Sequence, residues 1–185
     1  MAEDSGQNQN QSQSQIGDVT VDEIRRIWGD RLRPVPSDLV SPRLSTPTRE
    51  FLTTVGLPTV QVRDIVPLHD ERLLDSTSQL GHEYVAVAEG DEPGYLFAVE
   101  VATDRVFYLD DIPQYNRLIN SNIALFVLFL GIFQTRVLDL DVVTQETLED
   151  AVADVWRQLC ARDHTVTTDD RNWWGAMLDQ IAAEC

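Results

Sequence analysis

Two pairs of carboxylates are the residues whose type and spacing could do chemistry: Asp110 and Asp111 in "YLDDIP", and Asp139 and Asp141 in "LDLD". Acids this close in sequence can act as general acid and base, or hold a hard cation such as Mg²⁺. The same positions also suit a strand end entering a turn, where an Asp bonds its own backbone. The other reactive side chains form no constellation. His69, His82 and His164 stand singly in polar loops or at a strand edge, without the spacing of a metal site. Cys160 follows Leu159 on the apolar side of a helix, as a small hydrophobe would, and with Cys185 it makes neither a disulfide framework nor a zinc motif. No Ser occupies a nucleophile elbow, and no Gly-rich loop joins a strand to a helix. The residues therefore predict a protein with no catalytic, cofactor-binding or metal site.

What remains is contact chemistry. The chain of 185 residues has 31 acidic and 14 basic residues, a net charge of −17, and every cation is Arg. Residues 1–24 carry −5, residues 25–72 carry +2, and residues 73–185 carry −14. Phosphate contacts need clustered cations, so nucleic acid is excluded as a partner. An acidic face instead attracts a basic partner and speeds the encounter. The turn "EGDEPG" places Glu89, Asp91 and Glu92 together. With Asp110, Asp111, Tyr115 and Trp173 they make up the expected partner-binding surface. Trp173 and Trp174 cannot both face inward on one helix, so one of them is available as an interface anchor.

The elements that must carry these residues are readable from caps and periodicity. Residues 1–18 are rich in Gln, Asn and Ser and read as a disordered polar leader. Residues 19–185 read as a single domain. Thr20 and Glu23 suit a capping box for a helix ending at Gly29. Thr46 is the expected cap of a second helix, with Pro47 in its first turn and Gly56 at its end. Strands are expected in "TVQVRDIVPL", in "EYVAVAEG", and on either side of a turn at Thr103 and Asp104. Both faces of these strands are apolar, which predicts cover on both sides or a curled sheet. Two more helices close the chain, "TQETLEDAVADVWRQLCARD" and one capped near Thr168 or Asp169.

Between the strands and those helices lies "INSNIALFVLFLGIF", with Asn120 or Ser121 as the expected cap. Its apolar run, Ile123–Phe133, has 11 residues. A membrane span needs about 20, so this is a buried core helix. The start, "MAEDSGQNQN", lacks the basic and apolar regions of a secretory signal. The expectation is a cytoplasmic protein without a membrane partner. Strands grouped in sequence and helices grouped in sequence define an α+β fold, not alternating α/β.

Several stretches in order resemble a known family: "TREFLTTVGLP", "GYLFAVEVATDRVFYLDD", "INSNIALFVLFL" and "NWWGAMLDQI", with "IWG" ahead of them. The set is similar to the SUKH superfamily, specifically its fourth immunity-protein subfamily, over residues 20–183. One departure is the Asn-Ser-Asn cap, where a second small hydroxyl residue is expected. The resemblance implies an α+β domain with a curved, mainly antiparallel sheet wrapped by helices. It also implies an immunity protein that binds and neutralises a cognate protein toxin, often a nuclease or nucleic-acid deaminase. A regulatory or scaffold module without a toxin is the alternative that the resemblance leaves open.

Overall fold

The structure is a computed structural model that describes residues 15–16, 19–90, 94–141, 144–167 and 172–183. Most of the expected leader, the acids Asp91 and Glu92, and the expected cap at Thr168 or Asp169 lie outside the described residues.

Two helices open the domain, α1 (Val21–Trp28) and α2 (Thr46–Thr54). Ser45, not Thr46, caps α2: its Oγ accepts a hydrogen bond from the Thr48 amide at 3.3 Å, and Pro47 occupies the first turn where no N–H is needed. Gly56 ends this unit at φ +90°, and a Cβ there would stand 1.8 Å from the Arg33 carbonyl oxygen. Only glycine allows that approach.

Six strands follow: β1 (Ile65–Pro67), β2 (Ser76–Gln79), β3 (His82–Gly90), β4 (Leu96–Glu100), β5 (Val106–Leu109) and β6 (Arg117–Asn120). All pairs are antiparallel, in the order β6–β5–β4–β3–β1, and β2 pairs with the other half of β3. Of the expected strand "TVQVRDIVPL", only Ile65–Pro67 joins this sheet. Strands β2 and β6 have polar or short sequences that alternation does not reveal.

The two apolar faces of the sheet have different causes. One face turns Val85, Val87, Phe97, Val99 and Val106 into the main core, together with the helices. The other carries Tyr84, Ala98 and Leu109, whose apolar neighbours are Leu96 and Phe107 of the same strands. The curl of the sheet shields them. Gln79 of β2 donates to the Asp110 carbonyl at 3.2 Å and accepts from Asn116 Nδ2 at 2.7 Å. In the sheet, β3 and β4 separate β2 from β5, so these bonds require the sheet to curve round on itself.

The apolar run forms α3 (Ile123–Phe133), and all 11 residues are buried. Among the described residues no helix is long and apolar enough to cross a membrane. The cap is Asn122, whose Oδ1 accepts from the Leu125 amide at 2.9 Å. Asn120 is engaged elsewhere, as the last residue of β6. Helix α1 lies on α3, with Trp28 Nε1 donating to the Val127 carbonyl at 2.9 Å. One π-helical turn, Gln134–Leu138, leads out of α3. Helices α4 (Gln145–Arg162) and α5 (Trp173–Ala183) then pack on each other. Thr144 caps α4, and Asn172 Oδ1 accepts from the Gly175 amide at the start of α5.

A buried polar node ties the last strand to these helices. Asp163 accepts from Asn120 Nδ2 at 3.1 Å, from the Ser121 amide at 2.8 Å, and from the amide and hydroxyl of Thr165. Asn120 Oδ1 in turn accepts from Trp174 Nε1 at 3.2 Å. Every one of these buried groups has a partner, as burial requires.

Candidate protein-binding cleft

Strand register builds the site. Ala88 of β3 lies opposite Phe97 of β4, Phe97 opposite Tyr108 of β5, and Tyr108 opposite Arg117 of β6. Directly opposed residues share a face, so these four form one row on the helix side of the sheet. Helix α5 crosses above the row and sets Trp173 edge-on against Phe97, with ring centroids 5.4 Å apart. Tyr95 stacks on Tyr108 at 5.4 Å, and Phe97 meets Tyr108 edge-on at 5.6 Å. These offset and edge-to-face contacts are favourable ring arrangements and hold the aromatic wall in place.

Between that wall and α5 opens a cleft of about 430 Å³. Asp64, Arg63 and Gly90 line one side, Asp110, Tyr115 and Arg117 another, and Met177 and Gln180 come from α5. Tyr115 is 51% exposed and next to it Ile112 is 47% exposed, so the mouth presents apolar surface to solvent. Tyr, Trp and Arg together are the composition of binding hot spots.

Three expected contact residues meet here: Asp110, Tyr115 and Trp173 all line the cleft. The adjacent tryptophans divide their roles. Trp174 is fully buried against Phe129 and Phe133, while Trp173 is half-buried on the cleft wall. Asp111 is exposed beside Gly94 at the same end of the sheet. Register separates Glu89 from the group. It lies opposite Leu96, and Leu96 opposite Leu109, so its side chain is on the other face of the sheet, paired with Arg72 at 2.6 Å.

The Asp110–Asp111 pair behaves as a turn with crowded charge. Asp110 Oδ1 accepts from the Ile112 amide at 2.8 Å, and its own amide donates to Asn116 Oδ1 at 2.9 Å. The Asp111 carboxyl is held above its ordinary value, chiefly because its protonated form donates a hydrogen bond to Asp110. Away from the cleft, Arg72 bonds both oxygens of Asp70 and brings its pKa down to about 2. Burial raises the Cys160 thiol, which suits a structural rather than a reactive sulfur. Among the described residues no cluster of His, Cys, Asp or Glu is placed to hold a metal ion.

Tyr95, Tyr108, Arg63, Arg117, Asp64 and Gln180 are among the cleft residues that sequence reasoning did not single out. For Tyr108 and Arg117 the signal was strand register: they face the same way only because β5 and β6 pair as they do.

One comparison with known proteins places the chain in a family. The pattern of the SUKH-4 immunity protein family matches residues 19–180, and the chain belongs to that family. Membership supports an immunity function and implies binding of a cognate toxin. No curated protein and no solved structure matches the chain.

Proposed function

We propose that this protein neutralises its toxin by docking the aromatic cleft and the acidic rim beside it onto the toxin's surface. The toxin in this reading is a nuclease or a nucleic-acid deaminase. The immunity protein acts by occupancy, without turnover, in the cytoplasm of the cell that makes it. The observation that carries the reading is the meeting of Asp110 and Tyr115, from the turn after β5, with Trp173 of α5 on one cleft. A protein that handles nucleic acid is basic over its active face. The net charge of −17, concentrated in the second part of this chain, steers such a partner at long range. The aromatic wall then supplies desolvated contact at short range.

Co-expression with the product of the adjacent open reading frame tests this directly. The expected result is restored growth and a co-purified complex. In that complex Trp173→Ala raises Kd roughly tenfold to a hundredfold, as truncation of an interface anchor does. Reversal of Asp110 and Asp111 to Arg lowers the association rate and flattens its salt dependence. Full protection by the Trp173→Ala, Asp110→Arg, Asp111→Arg triple variant would remove this cleft from the interaction.

A further inference from the structure

One charge in the cleft runs against the acidity around it. Among the described residues the half-buried arginines are Arg31, Arg63, Arg117 and Arg162. Arg31 faces Asp139 and covers the Trp28 ring, Arg63 pairs with Asp64 at 3.2 Å, and Arg162 pairs with Glu23 at 2.8 Å. The Arg117 side chain has neither an ion pair nor a hydrogen bond to any described residue. Asp110 lines the same cleft without pairing with it. A half-buried guanidinium without a counter-charge is costly, and the cost is recovered when an anion arrives. The register sets Arg117 opposite Tyr108, on the face of the sheet that lines the cleft.

We infer that Arg117 is the socket for a carboxylate carried by the toxin, on a side chain whose neighbour is apolar and rests on Tyr108 and Trp173. This rests on the docking reading above and adds the chemistry of the anchor. A basic toxin is drawn in by the acidic surface, yet is held by one of its few acidic residues. Bidentate Arg–carboxylate contact gives the register that steering alone does not. A free nucleotide offers the same pairing of ring and anion. Its phosphate, however, brings about two negative charges past Asp64 and Asp110 on a chain of net charge −17, where a carboxylate brings one. A protein carboxylate on a basic toxin meets no such barrier.

The test uses the whole chain and small probes read by NMR: N-acetyl-phenylalanine with its free carboxylate, its amide, and adenosine monophosphate. The carboxylate is expected to move the Trp173 indole and Arg117 Nε–H signals saturably. It should bind roughly tenfold to a hundredfold more tightly than the amide, the worth of a charge-assisted bond. Arg117→Gln should erase that difference. Arg117→Lys, which keeps the charge but not the fork, should retain part of it, and unchanged melting curves show that both variants fold. Equal affinity for acid and amide, no binding of either, or tighter binding of adenosine monophosphate would overturn the inference. The docking reading is judged separately by the toxin complex. If Arg117→Gln keeps full toxin affinity while Trp173→Ala loses it, the socket is wrong and the docking surface stands.

Discussion

Replacing Asp163 by Ala is the most informative single perturbation of this fold. The carboxylate is 3% exposed and accepts from four donors. Thr165 is half-buried, so its amide and hydroxyl can turn to water. Asn120 is fully buried, and its Nδ2, together with the Ser121 amide, would be left without an acceptor. Each stranded donor costs about 1–3 kcal/mol, so the pair costs about 4 kcal/mol. Against a total stability of about 5–15 kcal/mol that is a large share. For a domain of this size it lowers Tm by about 8–16 °C. Asp163→Asn keeps the shape and one acceptor oxygen but turns an NH₂ group toward the other donors, so about half the loss is expected. Urea unfolding followed by circular dichroism measures both. Trp174→Phe acts on the same node through Asn120, so the double variant should depart from additivity by about 0.5–3 kcal/mol. A loss below about 1 kcal/mol for Asp163→Ala would refute the claim that this node fastens β6 to α4 and α5.

Other outcomes follow from the same packing. Gly131→Ala puts a Cβ 2.6 Å from Ile27 Cγ2 and 2.8 Å from Trp28 Nε1. The overpacking outweighs the gain in helix propensity, so a net loss of about 1–2 kcal/mol in thermal unfolding is expected. Gly175→Ala meets only Trp156 atoms at 3.6 Å and should instead stabilise by about 0.5–1 kcal/mol. Arg72→Gln should move the Asp70 titration seen by NMR from about 2 back toward 3.8. Because the folded pKa is the lower one, the contribution of this pair is present above pH 3.8 and disappears as pH falls through about 2. For Asp111 the sign is opposite: its folded pKa is raised, so the protonated form favours folding and that advantage fades as pH rises through its midpoint. Asp110→Asn should lower that midpoint.

Local patterns of caps and apolar spacing make most helices legible in the sequence. The 11-residue apolar run could only be a buried helix, and α3 is buried at every position. The turn at Thr103 and Asp104 was visible from its flanking strands, and Asp104 takes the left-handed conformation there. Caps were less legible because Ser, Thr and Asn crowd each helix start. Asn122 caps α3 because Asn120 is already committed to Asp163 and Trp174, a tertiary fact. Asp110, Tyr115 and Trp173 were identifiable as contact candidates from residue type and local pattern, an acid at a strand end, an aromatic in a turn and one of two adjacent tryptophans. Arg117 and Tyr108 were not, since only the pairing of β5 with β6 places them side by side. Glu89 shows the converse: its charge suggested membership, and strand parity turned it to the opposite face.

The hydrogen bond from Trp28 to Val127 joins residues 99 positions apart. Ribosomes add about 5–20 residues per second, so α1 waits roughly 5–20 s for α3 to be translated. During that interval a large indole and two isoleucines lack the helix that covers them in the finished domain. A protective protein must outrun the poison it guards against, and here the first helix has no seat until the chain has been read past Val127.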